Sequence, residues 1–177
     1  FPRRGELRAL LKVPDDVPLR EIAPEGLRGL SFGANVGALA DLAFEGIDVT
    51  YVKRAKVARD QGGHVIIAGH NFGYGGARDA TALALRHLGL RVVIAKSYGG
   101  QFRRMLLGAG VLALTFVADA DYYPIEPGEI LVFDDLRAGL AMGPELTVRR
   151  KAQSTFLTRS ALSARETSSS LLRRGRS

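Results

Sequence analysis

Residues 69–89, GHNFGYGGARDATALALRHLG, set four glycines (69, 73, 75 and 76) and an arginine against the start of a helical pattern. Glycine lets the backbone take positive φ and lets a ligand approach the main chain closely. A helix that starts just after such a loop leaves about four amide N–H groups unpaired, with about half a positive charge at that end. Arg78 adds a planar fork matched to a carboxylate or a phosphate. The chemistry this set supports is anion binding, through the amides of Gly75, Gly76 and Ala77 and the side chain of Arg78. A tight β-to-α turn with Arg78 paired to Asp79 uses the same residues. Two phosphate motifs do not fit. A dinucleotide fingerprint starting at Gly73 would need glycine where Arg78 stands and an acidic residue where Lys96 stands, and a P-loop would need a lysine that the loop lacks.

Other reactive side chains are few. His64, His70 and His87 lack the spacing of a metal set on one helix face. His70 lies in the glycine loop, within reach of a ligand or of loop packing. His87 suits the C-terminal end of a helix dipole. Ser97 falls at the end of a predicted strand, where crevices form in open α/β sheets. No Ser–His–Asp arrangement stands out.

The elements that must position these residues follow from periodicity. GELRALLKV (5–13) reads as an opening strand, stopped by PDDVP, and ALADLAFEGI as a short helix ending near Gly46. HVIIAG, RVVIAK and VLALTFV are continuous apolar runs that suit strands buried on both faces. Between the first two lies a helix from about Ala77 to Leu88, with Gly89 at a left-handed C-cap. A strand, helix and strand this close make a parallel, right-handed crossover unit. QFRRMLLGAG is a further short helix, and IEPGEILVFDD and ELTVRR supply two more strands, ELTVRR being the last.

A chain of 177 residues is one domain, with or without a tail, and can bury roughly 70% of its unfolded surface. There is no cysteine, which rules out disulfides and any iron–sulfur cluster held by this chain's own thiolates. No apolar run reaches the roughly 18 residues of a membrane span. Phe1 stands where an initiator Met would, the mark of a fragment or a processed chain, and a soluble cytoplasmic protein is the default expectation. The net charge of +7 is uneven: residues 149–177 hold eight Lys or Arg against Glu166 alone, together with ten Ser or Thr. Residues 1–150 are therefore expected to form the globular domain and residues 151–177 a basic Ser/Arg-rich tail. RNA is an alternative partner for that tail, through phosphate contacts.

The run NFGYGGARDATALALRHLGLRVVIAKS, with LLGAGVLALTFVADADYYPI after it and LRALLKVPDDVPLREIAPEG before it, resembles the small, swivelling domain of the aconitase and isopropylmalate dehydratase hydro-lyases. The resemblance spans about residues 5–150 and leans toward the aconitase branch through LRHLG and the Asp-Tyr segment. It implies an α/β fold, a swivelling β/β/α three-layer domain around the parallel strand–helix–strand core. It also implies a cluster-bearing large domain or subunit as partner, a four-iron, four-sulfur cluster on that partner, and a di- or tricarboxylate ligand. The implied reaction is dehydration and rehydration of a citrate- or isocitrate-like acid, as in aconitate hydratase.

In the resembling loop the family carries two serines, one of them its base; they fall on Gly76 and Ala77, whose side chains cannot take a proton. Arg78 matches the family's carboxylate clamp. The family's Asp-His pair falls on Arg20 and Glu21, and two further arginines on Gly33 and Gly100. A carboxylate-binding or RNA-binding module without turnover is the alternative that these departures imply.

Overall fold

The computed structural model describes residues 4–23, 36–76, 79–134, 144–150 and 154–160. In chain order the elements are β1 (Arg4–Val13), α1 (Leu19–Ile22), α2 (Val36–Ala40), α3 (Tyr51–Asp60), β2 (His64–Ala68), α4 (Asp79–His87), β3 (Leu90–Ala95), α5 (Phe102–Ala109), β4 (Leu112–Phe116), a 3-10 turn (Asp119–Tyr122), β5 (Ile130–Asp134), β6 (Glu145–Arg150) and β7 (Thr155–Ser160). The strands close into a barrel in the order β1-β2-β3-β4-β7-β6-β5. β1 to β4 run parallel to their neighbours, and the remaining pairs, including β5 with β1, are antiparallel.

Two cores explain the sequence patterns. Val65, Ile67, Val92, Ile94 and Leu114 point into the barrel, where they meet Leu131, Phe133, Val148 and Phe156. Ile66, Ala68, Val93, Ala95 and Ala113 point outward and are covered by Leu85, Leu88, Phe102 and Leu106 of the helices. Both faces of these strands are thus dry, which is why they read as unbroken apolar runs. Among the described residues no helix covers β6 or β7, and their inward residues alternate with exposed ones.

Three expectations need correction. The expected three layers are not separate sheets: helices pack on the parallel half of a closed mixed barrel, because β5, β6 and β7 bridge β4 back to β1. The parallel strand–helix–strand core itself is present in β2, α4 and β3. The globular body does not stop at residue 150, and ELTVRR is not the last strand: Thr155–Ser160 pairs with both β4 and β6 and closes the barrel. The rest of the expected tail, residues 161–177, lies outside the described residues.

α3 is an element that the sequence patterns did not indicate. Its buried stripe is Tyr51, Ala55 and Ala58, with basic residues elsewhere. Asp48 starts it by accepting from Thr50 N (2.8 Å) and Oγ1 (2.6 Å) and from Arg54 Nη2 (2.7 Å). The helix is pinned to the sheet by a 2.7 Å hydrogen bond between Tyr51 Oη and Nε2 of His64, both fully buried. Gly89 has φ of 87° and closes α4 as expected for a left-handed cap.

Candidate functional site

The four parallel strands end on one side of the sheet, and each hands the chain to polar residues. β1 leads to Asp15 and Asp16, β2 to residues 69–76, β3 to Lys96 and Ser97, and β4 to Asp119. Outside the carboxyl ends of parallel strands is where α/β sheets form ligand crevices.

The glycine loop is threaded between two of its neighbours. On one side Gly73 N donates to Val17 O (2.8 Å) and Leu19 N donates to Tyr74 O (2.9 Å). On the other, Phe72 N donates to Ser97 O (3.1 Å) and Gly99 N donates to Phe72 O (2.9 Å). A Cβ on Gly73, whose φ is 77°, would overlap the Phe102 ring, and one on Gly99 would overlap Tyr74. These two glycines are there for packing.

Gly75 and Gly76 are different. They leave the threaded stretch with φ of 90° and 105°, are exposed, and would have open space around a Cβ. Among the described residues, no hydrogen bond occupies their amides. Such main-chain donors can hold an anionic group. Ala77 and Arg78, the other half of the expected site, lie outside the described residues, as does Gly33. Arg20 and Glu21 are exposed in the short α1, and Gly100 is exposed with φ of 51°. His87 is exposed in the last turn of α4, where its carbonyl accepts from Arg59 Nη1 (3.1 Å).

A second group of side chains meets at the same strand ends. His70 Nε2 lies 2.8 Å from Asp119 Oδ2, and His70 Nδ1 lies 3.1 Å from Ser97 Oγ. Ser97 Oγ also accepts from the amide of Asn71 (2.8 Å), and Asp15 Oδ1 accepts from the amide of His70 (2.7 Å). No Ser–His–Asp arrangement stands out in the sequence, yet the fold brings Ser97, His70 and Asp119 together. The three residues come from three different strand ends, so no local spacing betrays them. Lys96 lies beside them, its side chain 4% exposed, hydrogen-bonded to Tyr123 Oη (2.8 Å) and 3.9 Å from Asp15 Oδ1. Its ammonium lies 4.5 Å and 4.3 Å from the ring centres of Tyr122 and Tyr123. Lys12 donates to the carbonyls of Tyr123 and Ile125 and lies 4.4 Å from the Tyr122 ring centre, so both lysines cap the end of the barrel. Among the described residues, no group of three or more His, Asp or Glu side chains is placed to hold a metal ion.

A cavity of about 600 Å³ lies elsewhere, on the flank formed by β1, α3 and the turn before β5, between Arg8, Leu10, Lys53, Val57 and Ile130. It contains none of the strand-end residues just described. No helix among the described residues is long and apolar enough to cross a membrane.

A half-parallel barrel with a glycine loop leading from β2 to its crossover helix is the frame that carries these groups, and comparison with known proteins assigns it to a class. The family described as the aconitase C-terminal domain matches residues 43–119. The 3-isopropylmalate dehydratase small subunit 2 of Archaeoglobus fulgidus is 33% identical over 123 residues, 70% of this chain and 68% of that protein. The methanogen homoaconitase small subunit of Methanocaldococcus jannaschii is 34% identical over 96 residues, 54% of this chain; the alignment spans only 51% of that relative. The crystal structure of 3-isopropylmalate dehydratase from the same organism superposes with a TM-score of 0.71 at 25% identity, covering 90% of this chain and 84% of that one.

The chain belongs to the aconitase and isopropylmalate dehydratase small-domain family. Both branches are represented among these matches, so they do not single out the aconitase branch toward which the sequence motifs lean.

Proposed function

We propose that this chain is the small domain of an aconitase-type hydro-lyase and that it holds a carboxylate of a di- or tricarboxylic acid on the loop Gly75–Arg78. The observation that carries the reading is the pair Gly75 and Gly76, exposed, at positive φ and with amides that take no hydrogen bond among the described residues, shortly before α4 in a fold of this family. Arg78 adds the guanidinium, and a hydrogen bond to a charged group contributes about 1.5–3 kcal/mol.

The partner is a cluster-bearing large domain or subunit. The 177 residues have no cysteine, so the thiolates that hold a four-iron, four-sulfur cluster come from that partner. When present, the cluster supplies a Lewis acid that polarises the substrate hydroxyl. This chain binds and orients the acid. A second reading, a carboxylate-binding module without turnover, is favoured by Gly76 and Ala77, which place no proton-accepting side chain where the family has its serines.

Titration of the isotopically labelled chain with citrate, homocitrate and isopropylmalate tests the binding. Saturable shifts of the Gly75 and Gly76 amides are expected with at least one acid, and Arg78→Ala should weaken that affinity about 10- to 100-fold. No shift with any of the three acids overturns the proposal. Assay of the chain reconstituted with a large subunit then separates turnover from binding alone.

A further inference from the structure

We infer that Ser97, His70 and Asp119 form a second site, in which Ser97 is an activated hydroxyl that accepts acyl groups from small neutral esters. This inference does not rest on the carboxylate loop. Asp119 has only acceptor oxygens when ionised, so at 2.8 Å it places the imidazole proton on His70 Nε2. Nδ1 then offers a lone pair, and the group 3.1 Å in front of it is the Ser97 hydroxyl. Hydroxyl, base and orienting carboxylate thus follow one another in the order that nucleophilic catalysis needs.

The serine oxygen is also held from behind. Asn71, with φ of 57°, aims its amide at Ser97 Oγ from 2.8 Å, which fixes the oxygen and lowers the cost of removing its proton. The His70 backbone is fixed in turn by Asp15, and Asn71 Nδ2 donates to Asp16 Oδ1 (3.0 Å). A residue held in the left-handed region at such a point is a recurring mark of functional sites. The group is reachable: the His70 and Asp119 side chains are 46% and 52% exposed, and Ser97 is half-buried.

The charges around it select the substrate. Asp15, Asp16 and Asp119 are exposed at the rim, whereas the nearby ammonium groups among the described residues, Lys96 and Lys12, are turned against the Tyr122 and Tyr123 rings. An anionic acyl donor is repelled there and a neutral one is not. In the reaction Ser97 Oγ bonds to the acyl carbon while its proton passes to His70 Nδ1. The bond from that carbon to the leaving oxygen breaks, and the leaving group takes the proton from His70. Water, activated by the same imidazole, then cleaves the acyl-serine and releases the acid. Asp119 is a positioning residue, since it acts only through His70.

The test uses the full chain with p-nitrophenyl acetate and, as anionic counterpart, p-nitrophenyl succinate. Acetate turnover should be saturable and faster than that of succinate. Ser97→Ala and His70→Gln should each lower it by about 100-fold or more, the size of a general-base contribution. Mass spectrometry of the chain treated with a fluorophosphonate should place the label on Ser97. Nitrogen NMR should find the His70 proton on Nε2 and show it displaced in Asp119→Asn, and that variant should lower kcat for the acetate ester with KM little changed, which a purely structural carboxylate would not cause. Because Ser97→Ala strips the Asn71 amide of its acceptor, the label on the unaltered chain and the His70→Gln rate decide the matter if that variant does not fold. Label on a lysine or no label, or a His70→Gln rate equal to that of the parent chain, overturns the inference.

Discussion

Acid should destabilise this protein well above the pH at which carboxylates protonate, and His64 is the reason. Its ring is fully buried between β2 and α3, and burial first, then the charge of Arg54, lowers its pKa to about 3 from an ordinary 6.5. The unfolded chain therefore binds a proton that the folded chain refuses. The contribution of neutral His64 is complete above about pH 6.5 and is lost progressively as the pH falls toward about 3. Between pH 7.5 and pH 5 the loss works out at about 2 kcal/mol, since each pKa unit is worth about 1.4 kcal/mol. With a urea slope of about 1–3 kcal/mol per molar, the unfolding midpoint should drop by about 1 M over that interval. Asp48, held below the usual carboxylate range first by the Thr50 hydroxyl, contributes only in more acid solution. The control is His64→Gln, which keeps a polar partner for Tyr51 Oη and does not titrate. Urea melts of both proteins at the two pH values isolate the imidazole, because every other group titrates in both. If the two midpoints fall in parallel, His64 is not the buried, proton-refusing group described here.

Three further outcomes follow from the same geometry. Gly73→Ala should cost more than about 2 kcal/mol, because the new methyl meets the Phe102 ring and φ is 77°; Gly75→Ala, with open space around it, should cost only about 1 kcal/mol of backbone strain. Denaturant midpoints of the two variants rank them, and equal midpoints would refute the packing role of Gly73. A chain cut after residue 150 loses β7 and leaves the β4 and β6 edges unpaired, so cooperative thermal unfolding should be lost. Phe156→Ala in the whole chain should cost about 3–5 kcal/mol, read from the same melts.

The parallel half of the barrel was legible because both faces of β2, β3 and β4 are dry, and an apolar run of that length admits little else. Closure of the barrel was not legible. The inward residues of β7 are Phe156, Thr158 and Ser160, and the two hydroxyls hide the inward face, with Thr158 Oγ1 donating to Leu146 O (3.1 Å). α3 escaped for a similar reason, since two of the three residues in its buried stripe are alanines. In the glycine loop, the positive φ of Gly75 and Gly76 was readable because that is what glycine pairs in such loops are for. His70, Ser97 and Asp119 were not: Ser97 and Asp119 lie 27 and 49 positions after His70, and only the pairing of strands β2, β3 and β4 brings them together.

The β1–β2 pairing also couples the glycine loop to the polar cluster through Gly69. A Cβ there would overlap both the carboxylate and the amide of Asp15, so the end of β1 can lie against the start of the glycine loop only while residue 69 is glycine. Asp15 is the group that holds the His70 backbone and faces Lys96, and Asp16 N donates to His70 O (2.8 Å). Gly69→Ala should therefore push β1 and the loop apart, at an overpacking cost of about 1–3 kcal/mol. The displacement should travel along the loop. The Val17 carbonyl, which receives Gly73 N–H, sits two residues beyond Asp15, so Gly73 and the amides after it shift as well. Backbone NMR of Gly69→Ala should thus show changes at His70 and Ser97 together with Gly75 and Gly76, while residues of β5 and β6 keep their positions. Changes confined to His70 and Asp15 would mean that the glycine loop is held independently of the polar cluster.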